Sequence, residues 1–198
     1  MFKKILSKII IIFLSISLLH CVKNNAFNSN ADIKIQKNIY IDQKFTDKEI
    51  EYIMEAVSEW EEKTHNMLKF NIIYFFNIKN INIIKDKNQS IIINKINSYN
   101  INIEFLDVIT KSTILGYCDK SEDIIKILIV YNRLNYQELY RSVVIHEIGH
   151  ALGLPHLNTK FTVMYHDATY TSYHLTYQDM YQFCKIYHCN VEELKAND

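Results

Sequence analysis

A mixed α/β (α+β) domain, with a twisted sheet backed by two helices and followed by a small C-terminal subdomain without strands, is the fold this sequence predicts. Three observations predict it. β-rich runs such as residues 68–76 and 124–131 are interleaved with two stretches of helical apolar spacing. Strand-like runs stop near residue 131, leaving only helical and irregular sequence beyond the second helix. The chain has only three glycines and one proline, and Gly149, Gly153 and Pro155 fall in one short segment, so a single turn takes most of the backbone punctuation. A length of 198 residues sets one domain with room for little more than a tether.

The elements follow in order. Thr46 and Glu49 form a capping box, and Ile50, Ile53, Met54, Val57 and Trp60 recur at helical spacing, which predicts a helix over 46–64. The run LKFNIIYFF predicts a strand over 68–76. Residues 77–102 alternate Ile with Asn and Lys without caps. A strand at 91–93 is expected there, but an inserted loop or hairpin fits so uniform an alternation equally well. Further strands are expected at 101–109, 113–118 and 124–131. Asn135 and Glu138 give a second capping signal for a helix from Tyr136 to Leu152, with Gly153 at its C′ position. A last helix starts at Thr176, with Asp179 three residues on, and continues to Tyr187.

Composition narrows the partners. Hydrophobic residues make up 48% and charged residues 22%, ordinary values for a chain that buries a core. Lys plus Arg and Asp plus Glu both number 22, so no basic excess exists to drive contact with nucleic acid. No nucleic-acid partner is expected.

The N-terminus carries Lys3, Lys4 and Lys8, then an apolar run over 9–19 broken by Ser15 and Ser17, short for a bilayer span and suited to an export signal. Leu18-Leu19-His20-Cys21 places a cysteine directly after it, which resembles a bacterial lipoprotein signal, with His20 where that signal usually has a small residue. The resemblance implies lipidation of Cys21; an uncleaved anchor or a secretory signal with an incidental cysteine is the alternative. The expected organisation is a signal peptide at 1–20, a lipid-anchored flexible tether at 21–38 and a catalytic domain at 39–198. Losing Lys3, Lys4 and Lys8 from the 22 basic residues leaves 19 against 22 acidic, so the lipid and not charge would hold the chain to a membrane.

The chemistry concentrates in HEIGHALGLPH, residues 146–156. On a helix, His146 and His150 share a face and present two imidazoles to one point, where a single metal ion can take both. The helix must then stop for a third ligand to arrive from another direction, and Gly153 can adopt the left-handed conformation that such a stop needs. His156 is then the third ligand. Three neutral imidazoles leave a fourth position open, as in a catalytic zinc site. Glu147, beside the first ligand, is placed to take a proton from a zinc-activated water and pass it to a departing amine.

This run matches HExxHxxGxxH and resembles the zinc signature of the metzincin metallopeptidases. Val163-Met164-Tyr165 resembles the methionine turn of that clan, with Met164 beneath the metal. Tyr165 directly after Met164, the segment Ala56-Val57-Ser58-Glu59-Trp60, Leu115-Gly116-Tyr117 and Leu175-Thr176-Tyr177-Gln178-Asp179 look like the matrixin branch. The resemblance spans roughly residues 39 to 188. It implies one catalytic Zn2+, a metzincin-like sheet, and a cleft beside an edge strand over 113–118, where Leu115, Gly116 and Tyr117 pair with an extended peptide. It also implies a pocket wall after Met164, from Tyr165 to Leu175; His166 departs from the pattern at a position where astacin-like branches use a tyrosine that approaches the metal, and is a candidate contact to substrate or zinc beside the three assigned ligands. Residues 22–38 contain no cysteine for capping the zinc, and no His/Asp-rich loop precedes residue 124 to hold structural zinc or calcium.

The expected activity is zinc-dependent endopeptidase cleavage of extracellular or envelope proteins. A catalytically idle zinc-binding surface or adhesion protein and a zinc hydrolase of a non-peptide amide are the alternatives. Expected partners are a protein or peptide substrate and a membrane reached through the lipid anchor, with the chain a monomer. His65, His174 and His188 are expected to be ordinary core or surface residues. Beyond Cys21, the cysteines are Cys118, Cys184 and Cys189, and the last two can pair only if the final helix ends between them.

Overall fold

A computed structural model of the protein describes residues 35–75, 90–97, 114–120 and 124–195. The expected signal peptide, Cys21 and most of the tether lie outside the described residues, as does the strand expected at 101–109. Among the described residues, no helix is long and apolar enough to cross a membrane.

Five strands form one mixed sheet. They are β1 (Ile35–Asp42), β2 (Leu68–Phe75), β3 (Ser90–Ile96), β4 (Gly116–Asp119) and β5 (Ile125–Val130), in the spatial order β2-β1-β3-β5-β4. β1 runs parallel to β2 and β3, β3 runs parallel to β5, and β4 alone runs antiparallel, along β5. β1 includes Ile35 through Asn38, which the sequence alone assigns to a spacer: Ile35 pairs with Leu68 and Asn38 with Ser90. The ambiguous Ile/Asn stretch resolves at β3, where Ile91, Ile92 and Ile93 are all fully buried, as befits a central parallel strand covered on both faces. β4 is shorter than the 113–118 expected; it begins at Gly116, after Arg133 Nη1 donates to Ile114 O at 2.6 Å.

Helix α1 (Asp47–Lys63) starts on the predicted capping box, in which Thr46 N donates to Glu49 Oε2 at 2.7 Å. Its buried face is Ile53, Ala56, Val57 and Trp60, the i, i+3, i+4, i+7 stripe that packs a helix on a sheet. Trp60 reaches across to the second helix, α2 (Gln137–Ala151), and donates from Nε1 to Ile145 O at 3.1 Å. α2 lacks the cap expected from Asn135 and Glu138. Tyr136 occupies the N-cap with no side-chain hydrogen bond, because the helix starts at Gln137 and so leaves Asn135 one residue too early to reach the first N–H groups. Contact with α1 compensates, Gln137 Nε2 donating to both carboxylate oxygens of Glu55 at 3.2 Å.

Among its described residues the C-terminal subdomain has no strand, only an isolated bridge between Leu157 and Tyr165. Helix α3 (Tyr177–Tyr187) starts on the predicted Thr176/Asp179 capping box, and Phe183 packs on Trp60 with ring centroids 5.9 Å apart. α3 ends at His188, in the left-handed conformation at φ 56°, which folds the chain back so that Cys184 and Cys189 stand 4.4 Å apart at Cα and form a disulfide. A short helix α4 (Val191–Lys195), not anticipated from sequence, follows, and Tyr177 OH donates to its Glu192 at 2.8 Å.

The exposed cap of α1 makes a clean test of these local rules. Thr46→Ala should lower stability by about 1 kcal/mol. A reduced urea midpoint at an unchanged m-value is the expected observation.

Candidate metal centre

α2 carries His146, Glu147 and His150 in its last turns and then stops on a Schellman turn. Gly153 N donates to His150 O and Leu154 N to Gly149 O, each at 2.9 Å, with Gly153 at φ +100°. This turn also orients the second histidine, because His150 Nδ1 lies 2.8 Å from Leu154 O, a carbonyl of the same turn. His146 Nδ1 lies 2.7 Å from Val163 O. A carbonyl can only accept, so both Nδ1 atoms carry their protons and both Nε2 atoms present bare lone pairs.

Those lone pairs converge with a third histidine. His156 Nε2 is 3.2 Å from His146 Nε2 and 3.1 Å from His150 Nε2. Bonds of roughly 2.0–2.1 Å to a tetrahedral zinc would put ligand nitrogens about 3.3–3.4 Å apart, so the three imidazoles fit the ion closely. Burial, followed by the neighbouring His150, pushes His146 down to about 3, and burial also lowers His150 and His156. All three rings are therefore neutral and ready to ligate. Glu147 is 5% exposed, and its Oε2 has no hydrogen-bond partner. Burial raises its carboxyl to about 8. An orphaned carboxylate oxygen next to three imidazole lone pairs is what a cation and its solvent would satisfy. Among the described residues, these histidines are the one cluster disposed to hold a metal.

The turn at Met164 meets this cluster at His146 and beside His156. Met164 is fully buried, and a Cβ added at Gly149 would collide with its Sδ, so the glycine within HExxH allows the helix to sit directly on Met164. Leu157, next to the third histidine, donates its N–H to Met164 O at 2.8 Å. Asp179 holds the turn from behind. It is fully buried, with Oδ2 accepting from Val163 N at 3.0 Å and Oδ1 from Met164 N at 3.0 Å. The same Oδ2 accepts from Thr176 N at 2.9 Å and Thr176 Oγ1 at 2.6 Å. From sequence, Asp179 is a capping residue only; its second and larger task shows no local signal.

β4 stands beside the helix at the end of the described sheet. A Cβ at Gly116 would meet Glu147 Oε1 at 2.6 Å and Val143 Cγ1 at 2.8 Å, so Gly116 gives the carboxylate its space as well as belonging to the edge strand. Leu115 accepts from Val130 N at 2.9 Å, fixing the start of that strand. Tyr165 and His166 stand together on the other side, ring centroids 4.6 Å apart, with the exposed His166 ring 6.2 Å from that of His156. His174, expected to be ordinary, lies 3.3 Å from Glu59 at the surface.

A mixed sheet with one antiparallel edge strand beside a helix that bears HExxH, closed by a glycine turn and a third histidine, defines a metzincin-type metallopeptidase. A sequence profile described as matrixin matches residues 27–188. The chain belongs to the matrixin family of zinc metalloendopeptidases. Its fold is similar to the crystal structure of archaemetzincin from Methanopyrus kandleri, with a TM-score of 0.55 and 10% sequence identity over 80% of this chain and 98% of that one. No curated protein matches the chain. Matrixins are generally extracellular, and the Cys184–Cys189 bridge suits an oxidising compartment.

Two outcomes follow for the site. Asp179→Ala would strand the buried Val163 and Met164 N–H groups and should cost roughly 3–5 kcal/mol, read as a lower urea midpoint. Cys118 faces the core near Glu147, and burial, then that carboxylate, push its thiol up to about 12. At pH 8 only about one molecule in ten thousand then carries the reactive thiolate. Iodoacetamide should spare Cys118 in the native protein and modify it in urea, as peptide mass mapping would show.

Proposed function

We propose that the chain is an exported zinc endopeptidase in which His146, His150 and His156 hold one Zn2+ and Glu147 is the general base and acid. The observation that carries the proposal is that His156 Nε2 lies within 3.2 Å of both His146 Nε2 and His150 Nε2, beside the partnerless Glu147 Oε2. Zinc, when bound, acidifies water and polarises the scissile carbonyl. Glu147 takes the proton of the attacking water on its buried carboxylate and delivers it to the departing amine. Burial raises its proton affinity, and a carboxylate of raised proton affinity takes a proton from the attacking water more readily.

An extended substrate lies along β4, adding a strand through the backbone of Leu115, Gly116 and Tyr117, and this leads its scissile carbonyl toward Glu147. Tyr165 and His166 line the facing wall. Met164 supports the histidines without touching substrate. The substrates are proteins outside the cytoplasm: residues 1–20 act as the export signal, and Cys21, once lipidated, anchors the catalytic domain to a membrane through the following residues.

Zinc content and casein cleavage, measured in parallel on the chain from residue 22 and on its Glu147→Ala variant, test this. The expected result is one zinc per chain in both and cleavage in the parent alone, with activity reduced by a factor of about a hundred or more in the variant. Equal cleavage by both would remove Glu147 from its role. Absence of zinc from the parent would overturn the assignment of the three histidines.

A further inference from the structure

The peptide between Val163 and Met164 stands between a carboxylate and a neutral imidazole. Its N–H donates to Asp179 Oδ1 at 3.0 Å, and its carbonyl faces His146 Nδ1 at 2.7 Å. The tilt of this one peptide plane therefore sets the direction in which the His146 ring points its Nε2. A second donor reaches the same carbonyl. Thr171 Oγ1 lies 3.1 Å from Val163 O and 3.0 Å from Thr162 O, bridging two successive carbonyls of the turn. Thr171 is brought there by the returning limb of the loop, in which Phe161 N donates to Tyr170 O at 2.7 Å and Ser172 N to Thr162 O at 3.2 Å.

We infer that Thr171 is a positioning residue for the metal centre: its hydroxyl fixes the Val163 carbonyl from the side opposite Asp179 and so aligns His146 for ligation. This inference rests on the proposed role of His146 as a zinc ligand. The physical basis is that a carbonyl engaged only by the His146 ring can shift together with that ring, whereas one that also accepts from a second donor is held independently of it. Outer partners of this kind set ring orientation and ligand basicity, and losing one typically weakens metal binding by about 10–100-fold. The limb that carries Thr171 leads directly back from the wall formed by Tyr165 and His166, so the wall and the first histidine share one small closed loop.

Thr171→Val keeps the shape and removes the donor; Thr171→Ser keeps the donor. Zinc affinity is measured by competition with a chromogenic chelator, the Co2+ absorption spectrum is recorded for each loaded protein, and the melting temperature is taken without metal. Thr171→Val is expected to weaken zinc binding about tenfold or more and shift the Co2+ bands. Thr171→Ser is expected to match the parent, and all three metal-free proteins to melt together. Zinc affinity within twofold and unchanged Co2+ bands in Thr171→Val would overturn the inference. A metal-free Thr171→Val that melts well below the parent, or fails to fold, would also overturn it, since the residue would then be a general support of the loop. A parent that binds no zinc marks a different failure, that of the histidine assignment itself.

Discussion

A single buried carboxylate holds the candidate centre together. Asp179 sits at the start of α3, far in sequence from HExxH, yet its two oxygens take the N–H groups of Val163 and Met164. The turn so fixed offers one carbonyl to His146 and another to Leu157, the neighbour of His156. Two of the three histidines thus depend on a turn that would otherwise be free to rotate. Burying a carboxylate is expensive unless its lone pairs are filled, and here four donors fill them, so the cost of burial is met locally and the geometry is stiff.

A second constraint is the end of α2. A helix can put two imidazoles on one face, but a third residue of the same helix would arrive from the same side, and a metal site needs ligands from several directions. The Schellman turn at Gly153 reverses the chain within three residues and brings His156 round to the others. Because Leu154 O in that turn also faces His150 Nδ1, the stop that brings His156 round also sets the tautomer of His150.

Close packing explains why glycine appears where it does. Gly149 lets α2 rest on Met164, and Gly116 lets the edge strand pass against Glu147. The result is a carboxylate nearly sealed from solvent with one oxygen unpartnered, an arrangement unfavourable to stability and favourable to proton transfer. Trp60 ties this assembly to the first helix through Ile145 O and packs on Phe183 of the last, linking the sheet layer with the C-terminal subdomain.

Much of this was legible in one dimension. The capping boxes at Thr46 and Thr176, the stripe from Ile53 to Trp60, the glycine stop and the His/Glu spacing are each written within a few residues, and interactions of such short range depend on local backbone geometry. Asn135 misled because the N-cap is one residue later and contact with Glu55, 82 positions distant, stabilises the helix start instead. Residues 35–38 read as spacer because the sequence before them is polar and Asn-rich, while pairing with β2, joined at Asn38 by pairing with β3, makes them strand. The sequence by itself determined the ligand types, their helical spacing and the position of the turn, since these follow from local backbone geometry. Only the tertiary structure decided that Asp179 serves the methionine turn, that Gly116 and Gly149 are contact glycines, and that Thr171 meets the carbonyl facing His146. Each of those depends on which segments burial brings together, and burial is a property of the whole chain.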